Sequence, residues 1–312
     1  MAASLPPPPG YYVPAVLFFD ENEELDFPAI EAHVLRLAKG GVTGILVQGS
    51  NGEAQHLSPE ERKSTIAFTR KTLNENGFNN VLVIAGTGAQ STRETKKLCA
   101  DAKEAGASYT LVLTPSTWPP QMTIDNIIRF HREVADASPI PTMIYNFPTV
   151  TAGLDLDSDV ISTLAEHPNI VGVKLSCGNI GKLQRITSRI PSSEFAVYAG
   201  RSDTFLPGLN AGSAGTIAAL VNLLPKLHGR LYQLFQEENY KEAALLQSKL
   251  GHGDWATSKV GGIGGIKAVI SQNFGYGQTG VRGPLKAVDV SSLAQNKYYQ
   301  TLLELIELEK SL

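Results

Sequence analysis

The amino-acid sequence predicts a (β/α)8 TIM barrel followed by a C-terminal helical extension. Short β-branched or aromatic runs alternate with longer segments of helical spacing, which is typical of a parallel sheet covered by helices. This alternation repeats eight times over residues 12–236, the length expected of such a barrel. A doubly wound sheet would need a glycine-rich phosphate turn after its first strand, and "VLFFDENEELD" contains none.

The elements follow in order along the chain. The predicted strands are 12–19, 44–48, 81–85, 109–113, 141–145, 170–174, 196–199 and 215–218. The barrel helices are predicted at 29–39, 59–74, 91–105, 123–137, 157–166, 180–190, 204–210 and 223–236. In "LSPEER", Ser58 precedes Pro59 and stands three residues before Glu61, which is a capping box. Further helices at 240–250, 259–272 and 292–312 follow, so we divide the chain into a lead-in (1–11), a barrel (12–236) and an extension (237–312).

Composition excludes several classes of protein. A net charge of −3 gives no reason to expect nucleic acid or an anionic membrane as a partner. The two cysteines, Cys99 and Cys177, argue against a disulfide scaffold and favour a reducing compartment. The sequence shows neither a targeting pattern at its start nor an apolar run of membrane-spanning length, so a cytoplasmic location is expected.

Chemically active side chains in such a barrel gather where the strands end. Lys174 ends the buried run "NIVGVKL". It could be an exposed or ion-paired amine, or a nucleophile, since burial favours the neutral amine that attacks a carbonyl. Tyr145 ends the fifth strand, and it could be a core tyrosine or a general acid and base.

Three further patterns bear on binding. "GSNGE" at residues 49–53 is either a strand-to-helix turn or an anion cradle made by backbone N–H groups. "VGGIGGIK" at residues 260–267 lacks the preceding strand of a dinucleotide-binding fingerprint, so we interpret its glycines as turns or close helix packing. The six histidines and two cysteines show no metal-ligand spacing, so we expect metal-independent chemistry.

Taken together, these motifs resemble the dihydrodipicolinate synthase / N-acetylneuraminate lyase family of class I, pyruvate-dependent aldolases. The resemblance runs from "YYVPAVLFFDENEELD" to "FGYGQTGVRGPL". Its most specific parts are "GSNGEAQHLSPEER", "YNFP", "GVKLSCGN" and "AGRSDTFLPGLNAGSAGTI". It implies that Lys174 forms the Schiff base and that Tyr145 is the catalytic tyrosine.

The resemblance also implies a set of binding residues. Ser50 and Asn51 would hold the pyruvyl carboxylate, and a backbone group of Ile217 would face the pyruvyl unit. Ser202 and Asp203 would contact substrate hydroxyls, as in the sialic-acid lyases. The family's chemistry needs no cofactor beyond the covalent Schiff base. The implied partners are a 2-oxo acid and an aldehyde, and the implied assembly is a homo-oligomer, a tetramer or a dimer.

Three positions depart from the synthase pattern. Val150 stands where dihydrodipicolinate synthases carry an arginine for a second carboxylate. Thr117 replaces the tyrosine that reaches across the family's dimer in a proton relay. Asn51 replaces a common threonine, and the same Ser-Asn pair occurs in the 4-hydroxy-2-oxoglutarate aldolases.

The sequence therefore predicts a carbon–carbon lyase that reversibly cleaves a 2-keto-3-deoxy sugar acid, such as 2-keto-3-deoxy-L-galactonate, to pyruvate and glyceraldehyde. The alternative substrate is 4-hydroxy-2-oxoglutarate, which would yield glyoxylate. Dihydrodipicolinate synthase activity, a Schiff-base dehydratase that eliminates water, and a catalytically silent binding barrel are the remaining alternatives.

Overall fold

The computed structural model describes residues 4–312, and it confirms the predicted barrel. Eight parallel strands pair in chain order, and the last pairs with the first to close the sheet. The strands are β1 (Gly10–Pro14), β2 (Gly44–Val47), β3 (Leu82–Gly86), β4 (Tyr109–Leu113), β5 (Thr142–Asn146), β6 (Ile170–Leu175), β7 (Ala196–Ala199) and β8 (Gly215–Ile217). Every predicted strand overlaps one of these.

Helices surround the barrel and continue beyond it. Those of the barrel are α1 (Phe27–Lys39), α2 (Pro59–Glu75), α3 (Thr92–Glu104), α4 (Ile124–Ala137), α5 (Ser158–Ala165), α6 (Ile180–Thr187), α7 (Phe205–Asn210) and α8 (Pro225–Gln236). The C-terminal helices are α9 (Tyr240–Lys259), α10 (Gly262–Phe274), α11 (Val290–Leu293) and α12 (Lys297–Lys310). Both hydrogen bonds of the predicted capping box at Ser58 are present. The domain division at residue 236 stays a prediction.

Several predicted element ends were wrong, and the helix predicted at 292–312 is two helices, α11 and α12. The first strand stops at Pro14 rather than at residue 19, and the backbone N–H of Val16 instead donates to the side chain of Asn222 (3.0 Å). Helix α9 runs nine residues past the predicted end at 250. A Cβ at Gly253 would lie 2.7 Å from Leu305 on α12, so this glycine permits close helix packing instead of ending the helix.

The lead-in packs against the end of the barrel where the strands begin. Residues 1–3 of the predicted lead-in lie outside the described residues. The hydroxyl of Tyr198 donates to the carbonyl of Pro7 (2.8 Å), and that of Tyr12 donates to the carbonyl of Pro8 (2.7 Å). Proline carbonyls accept hydrogen bonds although proline has no N–H to donate, so the proline run satisfies these two buried hydroxyl groups.

Side chains fill the barrel and separate it from its helices. The interior cluster contains Tyr12, Leu46, Ile84, Leu111, Met143, Tyr145, Val171, Tyr198 and Ile217. Two further apolar clusters, both larger than the interior one, lie between the strands and the surrounding helices. The barrel interior is thus a packed core, as is usual for this fold.

Residues 4–312 lack two kinds of feature. No helix there combines the length and the apolar character needed to cross a membrane. The same residues contain no group of three or more His, Cys, Asp or Glu side chains placed to hold a metal ion.

Three histidines are buried in the helical layer. Burial lowers the pKa of His33 and of His131 to about 3, and that of His228 to about 4. Each ring has a hydrogen-bond partner; that of His131, for example, is the Thr114 hydroxyl at 3.2 Å. Because the unfolded chain binds protons at these rings below about pH 6.5 while the native chain does not, acid favours unfolding.

We expect His131→Gln to weaken this acid sensitivity. Each such histidine contributes up to about 1.4 kcal/mol per pH unit below its unfolded pKa. From about pH 7 to about pH 5, the free energy of unfolding should therefore fall by up to about 2 kcal/mol less in the variant than in the wild type. Urea unfolding across that range measures the slope, and His252→Gln, at an exposed histidine, is the control. An unchanged slope in His131→Gln would contradict the prediction.

Candidate active site

Lys174 faces the barrel interior because β6 contains a bulge. Thr142 on β5 pairs with Ile170, but the next residue, Met143, pairs with Gly172, so β6 holds one extra residue. A bulge of this kind re-aims the side chains that follow it. Val173 consequently packs in the layer beneath the helices, whereas Lys174 contacts the interior and is only 3% exposed.

Tyr145 is the partner of Lys174 on the neighbouring strand. The two residues are in register across β5 and β6. The Nζ atom of Lys174 lies 3.3 Å from the phenolic oxygen of Tyr145 and 4.3 Å from the centre of its ring. Phe147 stacks on the same ring, with centroids 5.7 Å apart, and Tyr145 is 5% exposed. The amine and the phenol are therefore held together in a largely water-excluded position.

The loop after β2 brings a third polar group to this pair. The Ser50 hydroxyl lies 3.5 Å from the phenolic oxygen of Tyr145. The loop folds back over β3, where a Cβ at Gly86 would lie 2.0 Å from the carbonyl oxygen of Gln48. Since Gly86 has no side chain, the loop can approach this closely and present Ser50 to Tyr145.

A cavity of about 470 Å³ opens above these groups. Four of the predicted site residues line it together: Ser50, Asn51, Tyr145 and Lys174. The volume exceeds what a three-carbon acid needs, which leaves room for a longer substrate. The remaining polar and apolar wall includes Val150, Arg201, Asp254, Ser258, Ile263 and Lys286.

The other three predicted binding residues do not line this cavity. Ile217 is fully buried in the barrel interior. Ser202 is also fully buried, and its hydroxyl lies 2.8 Å from Nε2 of His228. The Asp203 carboxylate pairs with Arg201 (2.9 Å). The roles of Ile217, Ser202 and Asp203 toward a substrate stay predictions.

Arg201 and Asp254 form a charged wall that the sequence reasoning missed. Their side chains are joined at 2.8 Å, and the backbone N–H of Ser202 donates to the second oxygen of Asp254 (3.0 Å). Burial, followed by the nearby Asp203 charge, raises the pKa of Asp254 to about 6, so the carboxylate is charged at neutral pH. The charge of Arg201 is thus compensated by two carboxylates. The sequence offered no signal for Asp254, because this residue lies beyond the predicted end of its helix. Arg201 is part of the motif "AGRSDTFLPGLNAGSAGTI", but no role was predicted for it.

The glycine-rich segment at the start of α10 also borders the cavity. A Cβ at Gly264 would lie 2.6 Å from the carbonyl oxygen of Lys286, which agrees with the predicted close packing. This contact brings Ile263 and Lys286 to the cavity wall. Sequence patterns offered no signal for these two residues, because the contact joins segments that are far apart in the chain.

The positions that depart from the synthase pattern lie in different places. Val150 lines the cavity and is 41% exposed. Thr117 lies on an exposed loop, where its backbone N–H donates to the Gln90 side chain (2.9 Å). The phenolic oxygen of Tyr145 is contacted by the hydroxyl of Ser50 (3.5 Å) as well as by the amine of Lys174 (3.3 Å).

The closed barrel and its buried lysine–tyrosine pair are typical of an enzyme that acts on carbonyl compounds. The profile of the dihydrodipicolinate synthetase family matches residues 8–302. The chain therefore belongs to that family, as its motifs predict.

Two relatives and one solved structure illustrate the similarity. The "Probable 4-hydroxy-2-oxoglutarate aldolase, mitochondrial" of Emericella nidulans is 45% identical over 99% of both chains. The "L-threo-3-deoxy-hexylosonate aldolase" of Aspergillus niger is 38% identical over 97% of both chains. The structure of YagE, a prophage protein of the dihydrodipicolinic acid synthase family from E. coli K12 in complex with pyruvate, superposes with a TM-score of 0.85 at 28% identity, covering 97% of this chain and 98% of that chain. These relatives confirm the predicted class, a carbon–carbon lyase of the aldolase type.

We expect Tyr145→Phe to remove the hydroxyl that is predicted to transfer protons while it keeps the ring that packs against Lys174 and Phe147. Loss of a positioned acid and base typically costs about 10²- to 10⁴-fold in rate. The turnover number for aldol cleavage should fall by that factor, with little change in melting temperature. Tyr240→Phe, at an exposed tyrosine, is the matched control. Turnover within about threefold of wild type would contradict a proton-transfer role.

Proposed function

We propose that the protein is a class I aldolase in which Lys174 forms the Schiff base with a 2-oxo acid. The observation that carries this proposal is the 3.3 Å contact between the buried amine of Lys174 and the phenol of Tyr145 at the cavity wall. The family membership of the chain supports it. Ser50 and Asn51, which line the same cavity, bind the substrate carboxylate.

The reaction begins with imine formation. The neutral amine of Lys174 attacks the C2 carbonyl, and loss of water gives an iminium ion. Tyr145 carries protons between the amine and the departing hydroxyl during this step. Ser50 is within reach of the phenol. It takes over the proton relay, because Thr117 stands where the family carries its cross-dimer tyrosine.

Carbon–carbon cleavage follows. The iminium draws electrons from the C3–C4 bond, and Tyr145 accepts the C4 hydroxyl proton as that bond breaks. The aldehyde leaves, and an enamine remains on Lys174. Protonation at C3 and hydrolysis then release pyruvate and regenerate the free amine. The lysine itself is the covalent group, so the proposal includes no cofactor or metal ion.

A borohydride trap tests the nucleophile. With pyruvate and borohydride, we expect a reduced pyruvyl adduct on Lys174, located by peptide mass spectrometry, because an iminium is reduced to a stable secondary amine. Lys174→Ala should lose both the adduct and the cleavage activity. Lys182→Met, at a second buried lysine, is the control, and it should keep the adduct on Lys174. An adduct on another lysine, or none with excess pyruvate, would overturn the proposal.

The preferred substrate is a 2-keto-3-deoxy sugar acid, which carries hydroxyl groups on its distal end. Val150 stands where the synthases carry an arginine that binds a second carboxylate. The arginine that lines the cavity here, Arg201, is already paired with Asp203 and Asp254. The Asp254 carboxylate in the cavity wall favours hydroxyl donors over a second carboxylate, since like charges repel. The similarity to the Aspergillus niger aldolase supports the same choice.

The second candidate substrate is 4-hydroxy-2-oxoglutarate, which ends in a carboxylate. Lys286 lines the distal part of the cavity and supplies a positive charge there. The similarity to the Emericella nidulans relative favours this substrate. The two candidates differ in the charge of the distal group, and that difference makes them separable by kinetics.

We expect Asp254→Asn to shift the preference toward the dicarboxylate. The substitution keeps the shape of the side chain but removes one of the two charges that compensate Arg201. The ratio of kcat/KM for the sugar acid to kcat/KM for 4-hydroxy-2-oxoglutarate should fall about tenfold. Ser258→Ala removes an uncharged group from the same cavity and should leave the ratio unchanged. A strong wild-type preference for the dicarboxylate would reverse our choice of substrate.

Location and assembly belong to the same proposal. We place the enzyme in the cytoplasm and propose that it forms a homo-oligomer, a tetramer or a dimer, as the family resemblance implies. The Emericella nidulans relative bears a mitochondrial name, so cell fractionation is the direct test of location. Light scattering on the purified protein tests the assembly.

A further inference from the structure

A buried ion pair joins the C-terminal extension to the loop after β2. The Nζ atom of Lys267 on α10 lies 2.5 Å from Oε1 of Glu53, and both side chains are fully buried. Burial lowers the pKa of Lys267, and the Glu53 carboxylate opposes that change. The charge on each group in this water-excluded position depends on the other.

Glu53 has a second anchor in the same extension. Its Oε2 atom accepts the backbone N–H of Arg282 (2.9 Å). The amine of Lys267 also donates to the carbonyl of Gly280 (2.7 Å) and lies 4.6 Å from the ring of Phe19. Both carboxylate oxygens of Glu53 are therefore held by residues more than 200 positions further along the chain.

The loop that Glu53 ends has an uncommon backbone conformation. Gln48 and Glu53 have φ values of 61° and 53°, in the left-handed region that non-glycine residues rarely adopt. Such conformations persist where the surrounding contacts over-determine them. Ser50 and Asn51 lie between these two residues and line the cavity. The ion pair of Glu53 with Lys267, at an N–O distance of 2.5 Å, is therefore well placed to set the loop. The ring of His56 lies farther away, 3.6 Å from the other oxygen of Glu53.

We propose that Lys267 is a positioning residue for the carboxylate-binding loop: by holding Glu53 it fixes where Ser50 and Asn51 meet the substrate. This inference rests on the proposed function, because that function assigns the carboxylate to these two residues. Lys267 itself does not line the cavity and touches no reacting atom. The C-terminal extension is thus part of the substrate-binding machinery.

The test separates loop position from general stability. Lys267→Met alone leaves the Glu53 carboxylate buried without its counter-charge, which is destabilising. Combining it with Glu53→Gln removes both charges and keeps an acceptor for the N–H of Arg282. The readout is the pyruvate concentration that gives half-maximal borohydride trapping on Lys174, together with KM and kcat for cleavage.

We expect the double variant to need about 10- to 100-fold more pyruvate for half-maximal trapping, with a matching rise in KM and a smaller change in kcat. At saturating pyruvate the adduct should reach the wild-type amount, because Lys174 and Tyr145 are not altered. Should Lys267→Met and the double variant fail to fold, Glu53→Gln alone carries the same test, since it removes only the charge.

Glu309→Gln is the matched control. Glu309 is another buried glutamate, and it accepts two backbone N–H bonds at the start of α8 (2.8 Å each), away from the cavity. The Glu309→Gln variant should have a lower melting temperature but need the same pyruvate concentration for half-maximal trapping. If every folded Glu53 or Lys267 variant needs the same pyruvate concentration as the wild type for half-maximal trapping, this inference is wrong, while the proposed function stands. A wild-type protein that forms no adduct on Lys174 would overturn the proposed function, and the inference with it.

Discussion

The proposed chemistry depends on one geometric constraint, namely that the side chain of Lys174 lies inside a closed barrel rather than under its helices. The bulge in β6 satisfies this constraint by adding one residue before Val173 and Lys174. The register between β5 and β6 then sets Lys174 beside Tyr145. A strand without the bulge would follow simple alternation from Val171 onward and direct the amine out of the barrel. A local irregularity in one strand thus decides whether the amine can meet a substrate.

The C-terminal extension completes the site instead of merely covering the barrel. Helix α9 contributes Asp254, and the start of α10 contributes Ile263 to the cavity wall. Lys267, one turn further along α10, holds Glu53 at the end of the loop after β2. The cavity wall therefore combines residues of the barrel strands and their loops with residues of the extension. This combination fits an enzyme whose chemistry is shared with its family and whose substrate choice varies with the distal wall.

Charge is distributed unevenly along the cavity. At the reacting end the amine of Lys174 contacts the phenol of Tyr145, and that phenol contacts the hydroxyl of Ser50. Phenol and hydroxyl groups can exchange protons without carrying a permanent charge. At the distal end Arg201 is balanced by Asp203 and Asp254. A wall of paired charges presents both hydrogen-bond donors and acceptors, which suits a polyhydroxy chain. Arg201 and Asp254 line the cavity, whereas the predicted Ser202 does not.

The sequence by itself determined the barrel and the order of its strands, because hydrophobic periodicity and strand ends are local properties of the chain. Its motifs singled out Lys174 and Tyr145 through the family resemblance. The sequence could not determine that α9 continues past residue 250, since Gly251 and Gly253 disfavour a helix and the packing of Leu305 against Gly253 is a tertiary contact. Only the tertiary structure decided that Asp254 faces the cavity and that Lys267 pairs with Glu53. These contacts join residues that are close in space but far apart in sequence, and no local pattern of residues encodes such distances.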